Sequence, residues 1–77
     1  MPVTGDVKLT NRERQVVSLV CRGLSNKVIA KELGLSPATI KYYVHKICRK
    51  LGVRNRKELI VAFQLMSRAA LAPYRTA

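Results

Sequence analysis

The sequence predicts an all-α domain of four helices. Helix-start signals recur at Thr10, Ser25, Ser36 and Asn55, and glycines at 23, 34 and 52 close the first three segments. No stretch alternates apolar and polar residues with the period of a half-buried strand. At 77 residues the chain suffices for one domain, and its 48% apolar content supports a core. A domain of this size buries only about 60% of its unfolded surface, so its stability is marginal.

Residues 1–8 carry Pro and Gly without periodicity and read as a flexible arm, leaving 9–70 as the domain and 71–77 as a frayed tail. Thr10-Asn11-Arg12-Glu13 has the form of a capping box, with Thr10 capping the first helix and Glu13 reaching back to its backbone. Val16, Val17, Leu19 and Val20 give that helix an apolar face, and Gly23 ends it. A second start at Ser25 opens a helix with Val28, Ile29 and Leu33 on its apolar side and Gly34 at its end. A helix of about nine residues does not persist alone, so it must pack. Ser36-Pro37 opens a third helix that runs to Leu51 and stops at Gly52. The link between Leu33 and Ser36 is only Gly34-Leu35, which sets the two helices at a steep angle, as in a helix-turn-helix. Asn55, with Glu58 three residues on, caps a fourth helix expected over Arg56 to Ala70.

The charge is one-sided: 15 Lys and Arg against 4 Asp and Glu, a net of +11. Such an excess points to a polyanionic partner, either nucleic acid or an anionic lipid surface. The plain alternative is a basic surface kept for solubility, at the cost of self-repulsion in the compact state. The acids are Asp6, Glu13, Glu32 and Glu58, of which two serve as caps; with His45 as the one histidine and two dispersed cysteines, neither a catalytic triad nor a metal site can be assembled. No enzyme activity and no cofactor are expected. Cys21 reads as a buried apolar residue, and Cys48 as a partly exposed one on its helix flank. The N-terminus lacks a secretory apolar segment, and the run Leu59 to Phe63 is far too short to span a bilayer. These features predict a cytoplasmic protein with reduced thiols.

At about 100° per residue, Ile40, Val44, Ile47 and Leu51 share one stripe of the third helix, the core side. Ala38, Lys41, Tyr42, His45 and Arg49 cluster opposite, flanked by Lys46 and Lys50. From Lys41 to Lys50 there is no carboxylate, whereas a solvated face would mix signs. The mutual repulsion calls for a partner, and a helix of this width fits the DNA major groove. In that arrangement Lys41, Tyr42 and His45 are the candidate base contacts. Each has a plain surface alternative, and Tyr42 could equally lean on its own helix. Ser25, Asn26 and Lys27, at the start of the second helix, are placed to meet a phosphate, and Thr39, Lys46, Arg49 and Lys50 are further phosphate candidates. Tyr43, beside the core stripe, reads as structural.

The fourth helix is apolar on two sides. Leu59, Phe63 and Met66, with Ala62 and Ala70, form a core stripe, while Val61 and Leu65 lie opposite, near Lys57 and Arg68. Val61, Leu65 and Arg68 are therefore assigned to a twofold contact with a second copy of the chain, the alternative being scattered exposed apolar residues.

These motifs resemble the LuxR/GerE family of bacterial transcription regulators, the NarL-type helix-turn-helix. The resemblance covers Leu9 to about Phe63: Leu9-Thr10-Asn11-Arg12-Glu13, then Gly23 through Ala30, then the Leu33 to Lys41 segment with Ser36, Thr39 and Ile40, then Lys50-Leu51-Gly52-Val53 with Arg56. It implies a four-helix helix-turn-helix domain of the LuxR/GerE type that reads double-stranded DNA with its third helix. It implies base contacts at Lys41, Tyr42 and His45, phosphate contacts near Asn26, Lys27 and Thr39, and a homodimer on inverted half-sites through the fourth helix. RNA polymerase is a further implied partner, and the nucleoid the implied location when bound. Two positions depart from the family pattern, which usually has His at Tyr43 and Asn at Lys46. Tyr42 is bulkier than the residue often found there, so family half-site sequences do not carry over.

Two other readings compete. A sigma-factor-like promoter-binding module has a similar helix-turn-helix, but Lys50-Leu51-Gly52-Val53 followed by another apolar helix favours the LuxR/GerE reading. A basic membrane-surface protein would place large apolar residues beside its basic edge, whereas here the core claims them. Met1 suits a small free-standing regulator; the alternative is the output domain of a longer regulator or quorum sensor, controlled by a domain outside these residues.

Overall fold

Side chains close the ends of the helices, and this decides where each one starts. The computed structural model describes the backbone of residues 8–75 and the side chains of residues 8–66. Among these are four helices, α1 (Asn11–Cys21), α2 (Asn26–Leu33), α3 (Pro37–Leu51) and α4 (Arg56–Arg75), and no strand. The capping box at α1 forms in full: Glu13 N–H donates to Thr10 Oγ1 at 3.1 Å and Thr10 N–H to Glu13 Oε1 at 2.8 Å. Ser25 Oγ accepts from Val28 N–H, and Ser36 Oγ from Thr39 N–H, so α2 and α3 start where the sequence predicts. At α4, Asn55 Oδ1 accepts from Glu58 N–H at 2.9 Å. Glu58 Oε1 accepts from Arg54 N–H at 2.8 Å.

The first three helices end in one and the same way. The amides of Leu24, Leu35 and Val53 each reach five residues back, to Leu19, Ala30 and Cys48, while the glycine before each reaches three residues back. This is the Schellman arrangement, with an apolar residue after the glycine pressed toward the core. Gly34 carries the turn between α2 and α3 at φ 70°, where a Cβ would meet no neighbour within 4 Å. Its requirement is therefore conformational, not spatial.

The core draws Val16, Val17 and Val20 from α1, Ile29 and Ala30 from α2, Ile40, Val44, Ile47 and Cys48 from α3, and Leu59 from α4. α3 packs against all three other helices, and the α2–α4 pair is the loosest of the six. Leu59 is fully buried and anchors α4, a position where truncation to Ala costs about 2–5 kcal/mol.

Several expectations are corrected. Cys48 is buried and joins the core stripe of α3, while Cys21 is only half-buried, the reverse of the predicted pair. Leu51, expected in that stripe, is half-buried at the helix end. Val28 remains 44% exposed, because α3 and α1 cover the side of α2 that carries Ile29 and Ala30. Phe63, Ala62 and Met66 are half-buried rather than enclosed. The backbone of α4 continues to Arg75, beyond the expected end at Ala70. The side chains of Arg68 and Ala70 lie outside the described residues.

Candidate nucleic-acid interface

With Ile40, Val44, Ile47 and Cys48 buried, α3 must turn its other side outward. Lys41, Tyr42, His45 and Arg49 are all exposed, and Tyr42 keeps 61% of its surface. Tyr42, His45, Lys46, Arg49 and Lys50 line one shallow concavity. Tyr43 is half-buried and meets the Tyr42 ring edge-on at 6.1 Å between centroids. The Lys46 ammonium lies 5.8 Å from the centre of the Tyr42 ring, a cation–π distance that steadies the phenol on the outer face.

Lys46 and Lys50 behave differently from their neighbours. Both turn toward Glu13 of α1: Lys50 Nζ donates to Oε1 at 2.7 Å, and Lys46 Nζ stands 3.5 Å from Oε2. Lys50 also donates to the carbonyl of Lys8 at 3.3 Å. Glu13 is fully buried, and its Oε2 makes no hydrogen bond. Burial alone would raise the carboxyl pKa. The Lys50 bond, the Thr10 N–H and the charges of Lys50 and Lys46 together outweigh that, and the pKa falls below the ordinary 4.5. The basic face thus has an internal counterion that helical periodicity within α3 could not reveal, since the acid comes from another helix 37 residues away.

A second cluster sits at the start of α2. Ser25 and Lys27 are exposed and Asn26 is half-buried. The Ser25 oxygen accepts from Val28 N–H, which leaves its hydroxyl hydrogen to donate outward. Arg56 Nη1 donates to Asn26 Oδ1 and Nη2 to the Leu24 carbonyl, both at 2.7 Å. Thr39, half-buried in the first turn of α3, shares a 2.9 Å hydroxyl contact with Ser36. Sequence reasoning missed Arg56. The signal was available: an Arg at the first position of a helix opposes the helix dipole, so its charge has to be used elsewhere.

On α4, Val61 and Leu65 are 52% and 57% exposed and one turn apart, on the side away from Leu59. Among the described residues, no three His, Cys, Asp or Glu side chains converge as a metal site would require. No described helix is long and apolar enough to cross a membrane.

The chain is similar in sequence to known regulators. Residues 7–63 match the family described as bacterial regulatory proteins, luxR family. The HTH-type transcriptional regulator MalT of Vibrio campbellii is 47% identical over 53 residues, which is 69% of this chain and 6% of MalT. The transcriptional regulatory protein UhpA of Escherichia coli is 49% identical over 51 residues, 66% of this chain and 26% of UhpA. The match therefore spans about a quarter of the length of UhpA and far less of MalT. The family match covers most of the chain, including all four helix starts and the exposed face of α3: the chain belongs to the luxR family of bacterial regulatory proteins.

Proposed function

We propose that the chain is a sequence-specific regulator of transcription that binds double-stranded DNA, with α3 in the major groove. The observation that carries this reading is the exposed face of α3: Lys41, Tyr42, His45 and Arg49 stand outward on a helix without a carboxylate, held by a core that uses its other side. Lys41, Tyr42 and His45 are the proposed base contacts, from the first two turns and the middle of the helix. Ser25, Asn26, Lys27 and Thr39 lie at the starts of α2 and α3, where outward N–H and O–H donors suit phosphate oxygens. Arg49 adds an exposed cation. Lys46 and Lys50 serve both Glu13 and the DNA backbone, with Lys46 the more available because its pairing distance is longer.

The two-sided α4 supports a homodimer on paired, inverted half-sites, with Val61 and Leu65 in the contact and Arg68 beside it. MalT and UhpA, both regulators of transcription, support a regulatory role. In this reading RNA polymerase is the downstream partner and the cytoplasm the location.

The test is selection of bound sequences from random duplex DNA, followed by a salt titration on the preferred site. A paired inverted motif is expected, with affinity falling steeply with salt as several phosphates are neutralised. Salt-dependent binding without any preferred sequence would reject base reading by α3.

A further inference from the structure

Arg56 is the first residue of α4, yet its guanidinium serves α2. Its two terminal nitrogens donate to the Leu24 carbonyl and to Asn26 Oδ1, each at 2.7 Å. Leu24 and Asn26 are the residues immediately before and after Ser25, the N-cap of α2. One rigid fork therefore grips both sides of the cap, across the helix pair that otherwise touches least.

We propose that Arg56 is a positioning residue for DNA binding, acting through Asn26 and making no DNA contact of its own. This inference rests on the DNA-binding reading above. A guanidinium has only donors, so the Asn26 amide must present its oxygen to Arg56. That commitment leaves the two N–H bonds of Nδ2 for another acceptor, in the first turn of a helix whose leading backbone N–H groups lack intrahelical partners. Without Arg56 the amide is free to rotate, and the Leu24 carbonyl loses a charge-assisted partner. The N-terminus of α2 is then no longer held to α4. Asn26 in turn is specifically required as an amide. Aspartate would pair well with Arg56, but it would bring two acceptors and a negative charge to a phosphate.

The experiment measures duplex affinity by fluorescence anisotropy at several salt concentrations for the wild type, Arg56→Gln, Asn26→Ala and the double variant. Arg56→Gln is expected to weaken binding about ten- to hundredfold, the scale of one well-placed hydrogen bond to a charged group. Its salt dependence should keep the wild-type slope, and in the Asn26→Ala background most of its effect should vanish. A slope lower by about 0.9 would mean that Arg56 itself neutralises a phosphate, and that result overturns the proposal. Losses that simply multiply in the double variant overturn it as well. Asn26→Asp provides a check that does not depend on removing Arg56: it should fold as well as the wild type and lose DNA affinity strongly, and wild-type affinity in Asn26→Asp would reject the amide's role. Absence of duplex binding by the wild type would instead reject the DNA reading, so the two failures are distinguishable.

Discussion

Lys50 Nζ lies 2.7 Å from Oε1 of Glu13, so the last turn of α3 is joined to the first turn of α1 through a carboxylate with no solvent exposure. The same oxygen accepts the Thr10 N–H that completes the capping box. Glu13 therefore does three things at once: it caps α1, holds α3 against α1, and partly neutralises the basic face. Glu13→Gln keeps an acceptor for Thr10 but loses the charge opposite Lys50 and Lys46. Breaking a buried pair from one side costs about 3–5 kcal/mol, and partial exposure of both lysines reduces this to about 2 kcal/mol. Urea unfolding should show that loss as a lower midpoint with an unchanged slope.

Acid should act through the same residue. The folded-state pKa of Glu13 is below its ordinary 4.5, so its contribution is fully present above about that pH and is lost as pH falls through the lowered folded value. Wild-type stability, measured by urea titration at successive pH values, should drop across this acid window, and Glu13→Gln should lack that part of the drop. Parallel wild-type and variant curves would show that the pair contributes no pH-linked stability.

On α3, Lys41→Ala should cost about 1–3 kcal/mol of affinity for the preferred site and relax base preference at one position. Lys27→Ala should weaken all sequences alike and lower the salt slope by about 0.9. Competition binding with single-base variants of the site separates the two. Equal loss on every sequence from Lys41→Ala would remove it from the base-reading set.

Val61→Asp places a charge on the exposed apolar side of α4 and leaves Leu59 in the core. Folding should be within about 0.5 kcal/mol of the wild type, as for surface changes generally. Binding to a duplex with two half-sites should weaken, while binding to a single half-site should not. Unchanged two-site affinity with the fold intact would rule out this face as the dimer contact.

The thiols provide a check on the packing. Burial raises the pKa of both Cys21 and Cys48, so both thiols react slowly near neutral pH and access decides the order. Cys21 is the more exposed and should be alkylated first in the native protein, with Cys48 following only on unfolding. Mass mapping after brief iodoacetamide treatment would show the order, and earlier labelling of Cys48 would contradict the core assignment.

Local chemistry was enough to place the helices. Thr10, Ser25, Ser36 and Asn55 each cap the helix that follows, because a side-chain oxygen and the amides it satisfies are at most three residues apart. The glycine stops were legible for the same reason, as was the division of α3 into a buried stripe and a basic face, which follows from helical period alone. The luxR-family character was carried by those same spaced motifs.

Relations between helices were decided in three dimensions. Cys48 rather than Leu51 completes the buried stripe of α3, a choice that helical period alone leaves open. Val28 looked as apolar as Ile29, but only one of them faces a neighbouring helix. The pairing of Glu13 with Lys46 and Lys50, and the grip of Arg56 on Leu24 and Asn26, join residues at least 30 positions apart. No sequence period encodes such distances. Charge and polarity say that a group needs a partner, and only the packing of one helix on another determines which partner lies within reach.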